Sequence, residues 1–369
     1  MQYSRLVWVR PCGVVLLALT VPGIGFGALA IQGYDPVRHD RFSTDAKTAF
    51  VGEGLDFSGV GRTSDNRWVT MISPTYFVSA AHRFPRPGTK AKFYQGNVKS
   101  SEFLHEYVID DFSVPMQWNG FPSDLKVGRL VVPPDGTEAI APEDGIAWYP
   151  IRAENAFDYH DAELFVYGLA DRVGKNNIFR TCSLDNRNFD NRCVTYVMEF
   201  RYDTNDTGQG PDEAYLMTGD SGGPSFVVSN GELALAGIHY YNYGSNPVDG
   251  SISGDSFVPA YLDQITGFWI EGDVNADQLV SGEDLDLLRE CWGVVPESRA
   301  NLNPDLTGDG LVNTDDLDVV RRRWNQTGPA VWHHVTKEDA AAVPEPCAAW
   351  LLLSATFYLT GFRRREPER

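Results

Sequence analysis

The sequence predicts an all-β domain over residues 31–269, followed by a small α-helical module over residues 270–326. Three observations carry this. Short runs rich in Val, Tyr, Phe and Ile, broken by Gly, Pro, Asn and Asp, recur from Ile31 to Phe268, the pattern of strands and turns. No long amphipathic helix competes with them. After Trp269 the composition turns acidic, and a loop-plus-helix unit occurs twice, thirty-two residues apart. A chain of 369 residues can bury a large core, so the main fold requires neither metal nor disulfide. Its net charge of −19 excludes nucleic acid as a partner, because an acidic surface repels phosphate.

Taken in order, Arg5 and Arg10 precede an apolar run from Val14 to Leu29 that closes on Ala28-Leu29-Ala30. A basic start, a short apolar middle and a small-x-small end make residues 1–30 a secretory signal with cleavage expected after Ala30; the alternative is a retained membrane anchor. The strands expected next are Arg67 to Ile72, Ala91 to Tyr94, Leu164 to Gly168, Cys193 to Tyr202, Ser225 to Val228 and Leu233 to His239.

Three stretches of this domain carry chemistry. Gly219-Asp220-Ser221-Gly222-Gly223-Pro224 surrounds a serine with glycines, whose missing Cβ permits a tight turn that can aim backbone N–H groups into one small pocket. A serine becomes nucleophilic when a base removes its proton and such N–H groups meet the developing oxyanion. Phe77-Val78-Ser79-Ala80-Ala81-His82 is an apolar strand that delivers a histidine at its end, and Ser123-Asp124-Leu125 puts an aspartate at the head of an alternating run. In the order His82, Asp124, Ser221, these motifs resemble those of the chymotrypsin-like (trypsin-like) serine proteases over residues 31–269. That resemblance implies two six-stranded antiparallel barrels with the triad in the cleft between them. It implies His82 as general base and then acid, Asp124 as its orienting carboxylate, and the N–H groups of Gly219 and Ser221 as the oxyanion hole, with a protein or peptide as substrate.

It further implies a primary pocket lined by Gly237-Ile238-His239-Tyr240-Tyr241, with Tyr215 at the floor position where trypsin-like enzymes carry an acid. His239 in this strand resembles the glutamate-specific bacterial members, which makes His239 the expected donor to a substrate carboxylate, while Leu216 supplies no hydroxyl beside it; the alternatives are a His that only satisfies a buried hydrogen bond and an aromatic or aliphatic preference, with a basic preference last. Cleavage after Ala30 would free the amine of Ile31, which by the same resemblance pairs with Asp220. The family's usual cysteines beside the histidine and serine are absent, Arg83 and Met217 standing in those neighbourhoods. Of the five cysteines, Cys182 and Cys193 flank a polar loop that a bridge between them would close and two thiols would leave open.

In the acidic module, Asp273, Asn275, Asp277, Ser281 and Asp284 place side-chain oxygens at positions 1, 3, 5, 9 and 12 of a loop, with the Leu279 carbonyl at position 7. Asp305, Thr307, Asp309, Asn313 and Asp316, with the Leu311 carbonyl, repeat the arrangement. Hard oxygen donors in this spacing wrap Ca²⁺, so two Ca²⁺ sites are expected, and the alternative is an acidic helical hairpin without metal. Gln278 stands where the second copy has Gly310. The region holds 13 acidic against 5 basic residues, a repulsion that a divalent ion relieves. This EF-hand-type duplication resembles the dockerin modules of secreted enzymes, which implies a cohesin-like docking partner. Calcium is expected to stabilise this module and leave the barrels indifferent.

Residues 327–342 read as a linker. Then Val343-Pro344-Glu345-Pro346, an apolar run from Cys347 to Phe362 and Arg363-Arg364-Arg365 resemble the PEP-CTERM sorting tail of bacteria with an outer membrane. Residues 343–369 are thereby implied to meet an exosortase-type sorting machinery and to enter the membrane at least transiently, the chain ending at the cell surface, in the outer envelope or outside; a plain membrane anchor is the alternative. The whole reads as an exported serine endopeptidase. Two other readings compete with it: a non-catalytic protease-like binding module, and a calcium-dependent docking protein whose barrels are scaffold.

Overall fold

The computed structural model describes residues 27–43, 49–132, 139–154, 157–187, 193–204, 208–244, 246–267, 272–277, 279–293, 302, 304–307 and 311–324. Most of the expected signal, the linker and the expected sorting tail lie outside these residues. Among the described residues no helix is long and apolar enough to cross a membrane.

The described chain begins inside the domain. Leu29 is fully buried, its carbonyl accepts from Arg172 Nη1 at 3.1 Å, and β1 (Ala30–Ile31) pairs with a strand at residues 214–215. Cleavage after Ala30 would therefore remove a core residue and half of β1. A short helix, α1 (Pro36–His39), follows; Pro36 occupies a first-turn position that has no N–H to satisfy, and Asp35 caps it by accepting from Val37 N.

The first barrel closes in the order β2, β3, β4, β7, β6, β5, from β2 (Val60–Thr63), β3 (Trp68–Met71), β4 (Tyr76–Ala80), β5 (Lys90–Tyr94), β6 (Leu104–Trp118) and β7 (Phe121–Leu130). In β5 exposed Lys90 and Lys92 alternate with buried Ala91 and Phe93, whereas every residue of β4 is buried, so β4 runs through the core. The long β6–β7 hairpin turns at Asn119-Gly120, both at positive φ, the two-residue turn whose twist matches the flanking strands.

The second barrel closes in the order β10, β14, β13, β12, β8, β9, from β8 (Glu163–Gly168), β9 (Arg172–Asp185), β10 (Val194–Tyr202), β12 (Pro224–Ser229), β13 (Glu232–Asn242) and β14 (Ser251–Phe257). Asn230-Gly231 makes the same kind of turn between β12 and β13. The partner of β1 is β11 (Ala214–Tyr215), and α2 (Leu262–Thr266) ends the domain. One apolar cluster runs through both barrels, joining Trp68, Tyr76, Val78 and Leu125 to Phe165, Tyr167, Phe226 and Ile238. Trp68 meets Tyr167 edge-on at 5.7 Å between ring centres.

Two helices follow, α3 (Gly282–Glu290) and α4 (Thr314–Arg323). Each starts with a capping box, Ser281 with Asp284 and Asn313 with Asp316, satisfying the N-terminal N–H groups reciprocally. Between them lies a small core of Val274, Val280, Leu288, Val312 and Val320.

Candidate functional site

Strand β4 is apolar to its end, then passes through Ala81 into a single 3₁₀ turn, so His82 leaves the core with 23% of its side chain exposed. The pairing of β4 with β7 ends at Ala80 opposite Leu125, which sets Asp124 beside that turn. Both oxygens of Asp124 are used. His82 N donates to Oδ1 at 3.0 Å, and His82 Nδ1 lies 2.7 Å from Oδ2. A carboxylate at Nδ1 assigns the proton there, which leaves Nε2 as an acceptor and therefore as a base. Burial pushes the Asp124 carboxyl up, and its bonds to His82 act in the opposite direction. Thr195 of the second barrel holds the same residue from behind, accepting Asp124 N at 2.9 Å.

The Ser221 loop is held from three sides. Asp220 is fully buried and its carboxylate accepts from Leu169 N and Met217 N, each at 2.7 Å. Gly222 N donates to His239 O at 2.9 Å and His239 N to Gly223 O at 2.8 Å, tying the loop to β13. Gly222 sits at φ 89°, and a Cβ there would come within 3.0 Å of Ser79 Oγ and 3.5 Å of Ala80 N. The loop thus rests on the strand that delivers His82, and Tyr240 from β13 lies 6.1 Å from the His82 ring. The N–H groups of Asp220, Gly222 and Gly223 are all bonded, while those of Gly219, at φ 112°, and Ser221 have no partner among the described residues.

The residues expected to line a primary pocket behave differently. His239 is fully buried, with Nδ1 2.9 Å from Asp255 Oδ1 and Nε2 3.0 Å from Tyr167 O. Burial pulls its pKa down, but Asp255 and then Asp220 outweigh that and leave it raised. Both ring nitrogens are taken inside the barrel, so His239 is no donor to a substrate carboxylate. Tyr215 is equally buried, and its hydroxyl crosses to Tyr243 O at 2.7 Å and Gly244 O at 3.2 Å. Asn242 Nδ2 donates to Leu216 O at 2.5 Å, a second tie between the same two segments. Tyr240 accepts from Asn186 Nδ2 at 2.5 Å and lies 3.1 Å from Cys193 Sγ, and Tyr241 donates to Glu199 Oε1 at 2.5 Å.

Nor does the Ile31 amine reach Asp220 here. Ile31 is mid-chain in β1 opposite Ala214, and the two N–H donors on Asp220 come from Leu169 and Met217. Cys182 and Cys193 are free thiols. Cys182 pairs across the β9–β10 ladder with Val197, four residues from Cys193. At about 3.3 Å per residue that offset is roughly 13 Å, well beyond disulfide reach.

In the acidic module, Asp273, Asn275, Asp277 and Asp284 are buried, and the loop is drawn together by its own backbone. Asp284 Oδ2 accepts from Ser281 N at 2.7 Å and Oδ1 from Val274 N at 2.5 Å; Asp273 Oδ1 accepts from Asp277 N at 3.1 Å; Asp277 Oδ1 accepts from Leu279 N at 2.7 Å. The second loop repeats the closure at Asp316, which accepts from Thr307 N at 2.9 Å and Asn313 N at 2.8 Å, near Asp305 and Leu311. Asp309 lies outside the described residues. Among the described residues no three acidic, His or Cys side chains are grouped closely enough to hold an ion by themselves, so the amide, hydroxyl and carbonyl oxygens belong to the set. The donors fit a hard cation. Burial pushes Asp277 up and Asp284 to about 6, and Glu283 and Asp277 respectively add like-charge repulsion that a divalent ion relieves.

One feature had no sequence signal. Ser73 Oγ donates to Ala276 O at 3.0 Å and Thr75 Oγ1 to Asp277 O at 3.2 Å, so the first barrel grips the first loop by its backbone.

No curated protein matches the chain. The family model for the dockerin type I domain matches residues 271–325, which covers both loops and both helices. Members of that family typically bind calcium and dock onto cohesin partners in extracellular or cell-surface proteins. Residues 271–325 of this chain are therefore similar to the dockerin type I domain.

Proposed function

We propose that the chain is an exported serine endopeptidase of chymotrypsin-like architecture that its dockerin domain attaches, through calcium, to a cohesin-like partner. The observation that supports it most is the conjunction at one place of the His82–Asp124 pair, the Ser221 loop seated on the strand before His82, and two uncommitted N–H groups at Gly219 and Ser221. In this reading His82 Nε2 takes the proton from Ser221 Oγ as it attacks the scissile carbonyl. Asp124 keeps the other ring proton on Nδ1 and stabilises the imidazolium, and the Gly219 and Ser221 N–H groups bind the oxyanion. Collapse returns the proton to the leaving amine and leaves an acyl-serine, which water then hydrolyses by the same sequence.

Closure of the region behind Ser221 by Tyr215 and Asn242 favours substrates with a small side chain before the cleaved bond. Labelling of Ser221 by a fluorophosphonate tests the assignment. Labelling abolished in Ser221→Ala and His82→Ala is the expected result, and an unlabelled wild-type protein overturns it. The second reading, a calcium-dependent docking protein with the barrels as scaffold, is favoured by the family match falling on residues 271–325. It predicts partner binding that needs calcium and no labelling. The tail at residues 343–369 completes the proposal as a surface-sorting signal, read by exosortase-type machinery.

A further inference from the structure

The grip of the first barrel on the first dockerin loop is placed where it matters mechanically. The turn Ser73-Pro74-Thr75 leads directly into β4, which ends at Ala80, two residues before His82. The same turn is locked to the other catalytic strand, since Thr75 O accepts from Leu130 N, the last residue of β7, at 3.0 Å. Asp124 lies on β7. Both strands that carry the His82–Asp124 pair therefore start or finish at the turn that holds the loop.

The contact is built rather than incidental. Both hydroxyl bonds are buried, and they catch consecutive carbonyls, of Ala276 and Asp277, between the ligand positions Asn275 and Leu279. Ala276 itself is fully buried in the apolar cluster shared with Tyr76 and Val78. It sits at φ 59°, a left-handed conformation that is unfavourable for a residue with a Cβ and persists where surroundings impose it. Beside it Pro74, Ile146 and Trp148 of the barrel domain face Asn275 and Leu287 of the module across a cavity of about 300 Å³. Among the described residues of the second loop, Leu311, the counterpart of Leu279, is 54% exposed.

We propose that the first dockerin loop is a calcium-dependent joint that stabilises the catalytic strands of the first barrel, whereas the second loop stays open. The two loops then differ in role despite their common sequence pattern. Calcium at the first rigidifies residues 273–284, whose carbonyls are the acceptors for Ser73 and Thr75, so binding and barrel stability are linked. This reverses the expectation that calcium leaves the barrels indifferent. It holds whether or not Ser221 is catalytic, so its failure and that of the peptidase reading are separately visible.

Amide hydrogen exchange of the full-length chain, with calcium chloride as the only added ligand, tests it. With free calcium at ten times its dissociation constant the linkage factor is about 11, so exchange of the β4 amides, Tyr76–Ala80, slows about tenfold together with that of α3. Thr75→Val keeps the side-chain shape and removes the bond to Asp277 O. In that variant α3 still slows with calcium while β4 slows about threefold or less, and Ser73→Ala acts in the same direction. Exchange in wild-type β4 that ignores calcium overturns the proposal without any variant. So does a β4 response in Thr75→Val equal to that of the wild type.

Discussion

Replacing Asp220 by Asn makes a quantitative test of how the nucleophile loop is held. Burial raises the Asp220 carboxyl from 3.8 to about 6, against the pull of the Leu169 and Met217 N–H groups. A folded-state pKa above the unfolded one means that the native protein binds the proton more tightly. The resulting stability is fully present below pH 4 and is lost as pH rises through 6. A difference of about 2 pH units at 1.36 kcal/mol each corresponds to about 3 kcal/mol, with little discount for solvent because the group is fully buried. Asn does not titrate, so the stability gap between the two proteins changes by that amount from pH 4 to pH 7.

The amide oxygen can accept from only one of the two N–H groups, which adds a pH-independent loss of about 1–3 kcal/mol. The cost of Asp220→Asn is therefore largest in acid and shrinks toward neutral pH. Urea unfolding followed by tryptophan fluorescence, with Ser221→Ala in both proteins to prevent self-digestion, reads the gap directly. His239 does not cancel between the two, because the Asp220 charge helps to raise its pKa and is absent from the Asn variant. A gap that stays constant to within about 0.5 kcal/mol across pH 4–7 would falsify the account of a buried, charge-penalised Asp220.

Ser221→Ala and His82→Ala should each abolish peptide hydrolysis, and Asp124→Asn should lower it about 10⁴-fold by leaving the imidazole in the wrong tautomer; more than a tenth of wild-type turnover in Ser221→Ala rejects the triad. A peptide library should show cleavage after Gly, Ala or Ser, because Tyr215 fills the floor, and strong cleavage after Arg, Lys or Glu would show the pocket to be open. Alkylation of the unfolded, unreduced protein should modify Cys182 and Cys193 fully, and recovery of a crosslinked peptide between them would contradict the β9–β10 register.

Strands with a continuous apolar run were legible from residues alone. Leu164 to Gly168, Cys193 to Tyr202 and Leu233 to His239 fall within one residue of, or inside, Glu163–Gly168, Val194–Tyr202 and Glu232–Asn242. Strand β6 was not legible, because His105, Glu106, Asp110, Asp111 and Pro115 break its pattern and its stability comes from pairing on both sides. The Asn119-Gly120 turn was the available clue. His82, Asp124 and Ser221 could be named because their motifs are local. The orientation of His239 could not, since a bulge shifts the β13–β14 register between His239 and Tyr241 and thereby breaks the simple alternation of faces. Cys182 and Cys193 look like neighbours across a loop, but a hairpin ladder rather than sequence distance sets their separation. The barrel–loop contact joins residues 203 apart, where neither side carries a distinctive residue type.

The apolar cluster that crosses from one barrel to the other has a consequence for how any ligand enters between them. In the proposed peptidase reading the substrate groove lies between barrels joined by interlocked aromatic rings, Trp68 on Tyr167 and Phe57 on Phe226, and it cannot gape like a jaw without tearing that contact apart. The two walls are one solid body, and adaptation falls to whatever comes in. A folded protein offers such a groove nothing unless a stretch of it can peel away and lie flat. In the proposed peptidase reading the substrates are therefore slack chain, such as termini, connectors and unravelled segments, rather than tightly packed domains.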